Sequence, residues 1–205
     1  PKSGHVVKRY MVTSASDGAC GNTPAPAGLL AMNYMHSLGL DSLYDQGNGI
    51  GNGIGKFDIM AYPYGNQNDG KPGSLSAFSK LKLKWVQPIE VMENSYIQLG
   101  PWGRTPDAIK IQKSYAFREY LLLENRQPVG ADEGFFGSGL AVYHIDEAQK
   151  DQASASWPSK SDYPKDHYMV GILSRDGLYN LEQGENKGDQ GDLWVVGDTL
   201  GPGQN

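Results

Sequence analysis

His36 is the residue in this chain best placed to hold a metal ion. It sits in the last turn of a short apolar segment, Ala31 to Leu40, with Asp41 and Asp45 close behind it. An imidazole and carboxylates at this spacing are ligands for a divalent cation. A strand-borne pair, His144 and Asp146, could join His36 in one site, or anchor a loop; a lone histidine of this kind is more commonly hydrogen-bonded within the fold. Asp189 and Asp192, flanked by Gly188 and Gly191, put two carboxylates on a tight turn, with Asp176 and Glu182 as candidate additions. Hard cations such as calcium want several oxygens on bent backbone. The bland alternative is a polar turn whose aspartates bind their own backbone.

The element that positions His36 is a helix. Leu29, Leu30, Met32, Met35 and Leu38 recur at helical spacing, Pro24 and Pro26 bar helix upstream, and Gly39 is a natural stop. Gln46 to Gly55 carries Gly-Asn-Gly-Ile twice, which asks for several residues at positive φ. A phosphate cradle is a poor fit there, because neither the preceding strand nor the Lys-Ser helix start is present. Tyr62 and Tyr64 lie in a further loop, where they cover it or line a groove. Ser74 to Lys84 reads as a second helix, capped by Ser74, with Leu75, Phe78 and Leu81 as its inner stripe.

Strands are expected at Val6–Val12, Ile109–Gln112, Tyr115–Leu123, Leu140–Ile145 and Met169–Leu173, with the period shifting toward two from Ile89 onward. Thr13 to Ala27 and Asp151 to Asp166 read as loops. His5 and His167 carry no further local signal.

Several of these segments together resemble the secreted metallopeptidases of the immune inhibitor A type, which have a zincin fold. That family's motif runs His-Glu-x-x-His-x-x-Gly-Leu-Pro-Asp-Leu-Tyr-Asp, then a glycine-rich stretch and a methionine turn. This chain keeps His36, Gly39, Leu40, Leu43, Tyr44 and Asp45, and then Gly53 to Ala61 with Met60. Ser76–Val86, Glu119–Gln127, Gly139–Asp146 and Gly188–Trp194 are similar to later family segments, in the same order. The resemblance covers about residues 27 to 196.

The departures fall on the chemistry. Met32 stands where the family has its first histidine, and Asn33 where it has the general base. Asp41-Ser42 replaces Pro-Asp. A thioether is a poor ligand for a Lewis-acidic zinc, and an amide cannot take a proton from water. The resemblance therefore implies a non-catalytic relative, secreted, acting as a structural or binding component of a larger assembly. In it Met60, Gly39, Tyr44, Asp45, His144 and Asp146 keep structural roles. Two alternatives stay open: an active zinc metalloendopeptidase with substituted ligands, and a calcium-stabilised matrix or adhesion module. Zinc is not expected, and calcium is a candidate.

The expected fold is α+β: the C-terminal part of a zincin-like unit, two N-terminal helices followed by a mostly antiparallel sheet with long loops. Residues 1–27 form an N-terminal strand and loop, and residues 28–205 the metallopeptidase-like domain. The family's sheet-bearing first half has no counterpart in those 27 residues, so other protein chains are expected to cover the face it would occupy.

The length suits one domain or a domain plus an extension. A chain of 205 residues buries roughly 70% of its unfolded surface. Eighteen basic against 23 acidic residues leave a net charge of −5, without the basic stripe of a nucleic-acid surface. No apolar run is long enough to span a membrane, and no signal peptide is visible. The one cysteine, Cys20, has no partner for an internal disulfide.

Overall fold

The computed structural model describes residues 10–16, 23–47, 49–66, 71–101, 108–112, 115–149, 152 and 168–199. Residues 6–9 of the expected first strand, His5, Cys20, His167 and all of the 151–166 loop except Gln152 lie outside them. Tyr10 to Val12 are irregular rather than extended in a sheet.

The fold is α+β. Helix α1 (Ala27–Leu38) is followed by a short 3-10 turn at Gly55–Phe57 and by helix α2 (Ala77–Lys82). Five strands complete it: β1 (Ile89–Val91), β2 (Ile109–Ile111), β3 (Glu119–Arg126), β4 (Gly139–Asp146) and β5 (Val170–Ile172). They form one sheet in chain order. Three of its pairings are antiparallel; β1 runs parallel to β2. No helix among the described residues is long and apolar enough to cross a membrane.

Helix α1 ends as its sequence dictates. Gly39 takes the left-handed conformation at φ 101°, and its N–H reaches back to the His36 carbonyl. Helix α2 is shorter than its apolar stripe implies, and its cap is Ser76 rather than Ser74. Ser76 Oγ accepts from the Ser79 N–H, while the Ser74 N–H donates to Asp132 at 3.1 Å. The helix stops at Lys82 because Lys84 turns left-handed at φ 60°, so that the Trp85 N–H can close back on the Lys80 carbonyl. Strand β3 starts at Glu119 rather than Tyr115, because Arg118 is itself left-handed at φ 73°.

Strand alternation divides the core. Tyr120, Leu122, Tyr143, Ile145, Val170 and Ile172 face the helical side, where Met32, Leu40, Leu43, Ile54, Phe57, Met60 and Phe78 meet them. Leu121, Val142 and Leu173 face the other way and pack with Tyr179, Tyr115 and Trp194. At β5, Met169 O and Leu173 N bond to β4, so Val170 and Ile172 turn their backbone outward. Gln152 fills the first of those places: Val170 N–H donates to its side-chain oxygen at 3.0 Å, and its amide nitrogen donates to Val170 O at 2.5 Å.

The glycine-rich segment turns as expected, with positive φ at Gly49, Gly53 and Gly55. Gly53 is the tightest, since a Cβ there would lie 2.0 Å from Leu43 O.

Candidate functional site

Helix α1 carries the positions that would hold a metal, and each of its side chains there is engaged elsewhere in the fold. Met32 is buried in the core. The Asn33 amide donates to Thr13 Oγ1 at 3.1 Å, laying the 10–16 segment against the helix. His36 Nδ1 contacts Leu40 O at 2.8 Å, which makes Nδ1 the protonated nitrogen and leaves Nε2 as its only ligating atom.

Among the described residues the neighbours of His36 are engaged elsewhere. Asp45 is buried and closes the following loop on itself: Oδ1 accepts from Gly47 N at 2.7 Å and Oδ2 from Gly51 N at 3.1 Å. Asp41 and Tyr44 are exposed. His144 alternates with Tyr143 and Ile145, which face α1, so the sheet itself separates His144 from His36. Its Nε2 lies 2.8 Å from Glu119 Oε1, and its ring packs near Tyr115. Asp146 anchors the turn after β4, accepting from Ala148 N at 2.8 Å and from the Gln149 side chain at 3.3 Å. Among the described residues no group of three His, Cys, Asp or Glu side chains converges on a point. Among the described residues His36 therefore lacks the two further protein ligands that a zinc site needs. Met60 is fully buried in the main core.

The acidic turn near the C-terminus does come together. Asp189 and Asp192 form a reciprocal cap on a 3-10 turn at Gln190–Asp192. Asp189 Oδ1 accepts from Gly191 N at 2.6 Å, its Oδ2 from the Asn186 amide at 2.5 Å, and Asp192 Oδ2 from Asp189 N at 2.9 Å. Asp176 adjoins, with its N–H on the Gly191 carbonyl. These carboxylates satisfy the backbone of their own turn, which is the arrangement of a folded cap.

Glu182 is buried below the same turn. Burial, and then the nearby charge of Asp192, push its pKa up to about 8, and burial pushes Asp192 up to about 6. The folded chain thus keeps the Glu182 proton that the unfolded chain releases near 4.5, so stability falls as pH rises through that interval. For a group this buried the total is on the order of 3–5 kcal/mol between pH 5 and 9. Glu182→Gln flattens that slope in urea unfolding measured across the range; an unchanged slope would show that Glu182 titrates alike in both states.

Sequence reasoning missed the most heavily bonded polar centre. Asp58, in the turn before Met60, is fully buried and accepts four hydrogen bonds: Met60 N at 2.8 Å, Ser76 N at 2.9 Å, Ser76 Oγ at 2.6 Å and Ser79 Oγ at 2.5 Å. Beside it Arg126 is also fully buried. Its guanidinium donates to Glu124 at 3.1 Å, to Asp132 at 2.9 Å and to Phe57 O at 3.2 Å, and stacks 4.6 Å from the Phe135 ring centroid. Tyr143 donates its hydroxyl to Glu124. Burial pushes the Glu124 carboxyl up against the pull of Arg126, and lowers Lys80 on α2 to about 8. This centre ties the methionine turn, α2 and β3 together.

No family model, no characterised protein and no solved structure matches this chain.

Proposed function

We propose that this chain is a non-catalytic relative of the immune inhibitor A-type metallopeptidases, acting as a secreted structural or binding component of a larger protein assembly. One observation carries the reading: the two positions that would supply the first ligand and the general base are occupied by Met32, packed in the core, and Asn33, bonded to Thr13. Both residues serve the fold, and neither chemistry is available to them. Loss of a positioned base alone forfeits roughly two to four orders of magnitude in rate.

The outer face of α1 supports a partner. Leu30, Tyr34 and Leu38 stand one turn apart and are 40%, 53% and 42% exposed. The helix contains no Asp, Glu, Lys or Arg. A solvent-facing helix ordinarily carries charge on its outer side, so an uncharged outer stripe is the surface of a docked element. Secretion is carried over from the family resemblance.

Metal analysis with a peptidase assay tests the reading. The purified chain is expected to hold far less than one zinc per molecule and to show no peptide cleavage above background, with His36→Ala unchanged in both. A full equivalent of zinc together with cleavage abolished by His36→Ala overturns it.

A further inference from the structure

Two ammonium groups share one aromatic ring beside the glycine-rich turn, and the backbone forces the pairing. The Lys56 N–H donates to the Lys187 carbonyl at 2.9 Å, and the Asn52 side chain donates to the Asn186 carbonyl at 2.6 Å. Gly55 permits the approach: it is left-handed at φ 50°, and a Cβ on it would stand 2.5 Å from Lys187 O. Both lysines then extend over Tyr62. Lys56 Nζ is 5.8 Å and Lys187 Nζ 5.4 Å from its ring centroid. Tyr64, partly exposed, packs 5.4 Å from the Tyr62 centroid and widens the aromatic surface.

This arrangement repels itself. Among the described residues neither ammonium forms an ion pair, although the chain as a whole is acidic. Lys56 Nζ donates to Asn66 O at 2.6 Å, which uses one of its three protons. Burial and the neighbouring Lys187 charge both disfavour its charged form. Like charges fixed together in this way are relieved by an anion placed between them.

We propose that Lys56 and Lys187, whose ammonium groups lie 5.8 and 5.4 Å from the Tyr62 ring centroid, bind a doubly charged oxyanion: the phosphate or sulfate ester of a larger molecule. A tetrahedral dianion offers separate oxygens to the two ammonium groups, whereas a monocarboxylate neutralises only one charge. Lysine binds such groups as a point charge and needs no fixed fork geometry. Tyr64, 41% exposed beside Tyr62, gives the carbon skeleton of the ester an apolar surface to rest on. None of these residues belongs to the α1 region, so this site and the non-catalytic reading stand or fall separately.

The test is a titration of the full chain with inorganic phosphate and with inorganic sulfate, at ionic strength held constant with sodium chloride. Backbone amide NMR shifts of Lys56 and Lys187 report binding. Saturable shifts are expected with both dianions and not with acetate. Lys187→Gln, at an exposed position, should weaken both by about tenfold or more with an unchanged melting temperature, and Lys56→Gln should do the same. Glycerol phosphate and a sulfated disaccharide then separate the sources: tighter binding of either names the ester, and both must lose affinity in Lys187→Gln. Absence of saturation with either inorganic ion, acetate binding as tightly as phosphate, or unaltered affinity in Lys187→Gln overturns the proposal.

Discussion

Arg126→Met lowers the unfolding free energy by about 3–5 kcal/mol, the expected result of breaking a buried ion-pair network by removing one partner. The side chain is fully buried and is the shared donor for Glu124, Asp132 and the Phe57 carbonyl. Methionine fills much of the volume and can still lie against Phe135, so packing is a minor part of the loss. The major part is two carboxylates left in the interior without the guanidinium that bonds them both. Their fate makes the effect depend on pH. Glu124 is already pushed up by burial, and without the guanidinium it holds its proton still more strongly. The destabilisation should therefore be larger at pH 8, where holding Glu124 either protonated or charged is costly, than at pH 5. Urea denaturation at the two pH values checks this. A loss under about 1 kcal/mol at both would show that the network contributes no net stability.

Asp58→Ala should cost about 3 kcal/mol or more, since it strands four buried donors at once. The Ser76 and Met60 N–H groups and the Ser76 and Ser79 hydroxyls all converge on its carboxylate. Three of those donors belong to the start of α2, so the variant also loosens the helix from the methionine turn. Asp58→Asn keeps one acceptor oxygen but aims a donor at donors, and should lie between wild type and alanine. Thermal unfolding of the two variants measures the order. Equal stability of wild type and Asp58→Ala would mean that the cost of burying the carboxylate cancels its bonds.

The local features were readable in the sequence because local chemistry decides them. Leu29 to Leu38 is helical by spacing and Gly39 stops it. The repeated glycines turn with positive φ. Most of β3 and β4 lies in segments that the period of two marks as strands. What escaped was set by distant residues. Ser74 and Ser76 are equivalent caps in sequence; Asp58, 18 residues before Ser76, bonds Ser76 and fixes the helix start there. The parallel pairing of β1 with β2 leaves no local trace. The Arg126 centre had a signal that went unused. In β3, period two places Glu124 and Arg126 on the face of Tyr120 and Leu122, so two charges of opposite sign were already bound for the core. Asp132 and Tyr143, which complete it, are joined only by the fold.

The glutamine at position 152 has a wider meaning for how this sheet meets other chains. An exposed strand is a template on which a foreign peptide can hydrogen-bond, and sheets left open on a flank recruit neighbours into aggregates. By answering both polar groups of Val170 with its own amide, Gln152 imitates one residue of an adjoining strand without extending the sheet. Gln152→Ala removes both of those bonds at once, and leaves the polar groups of Val170 without the partner that now answers them.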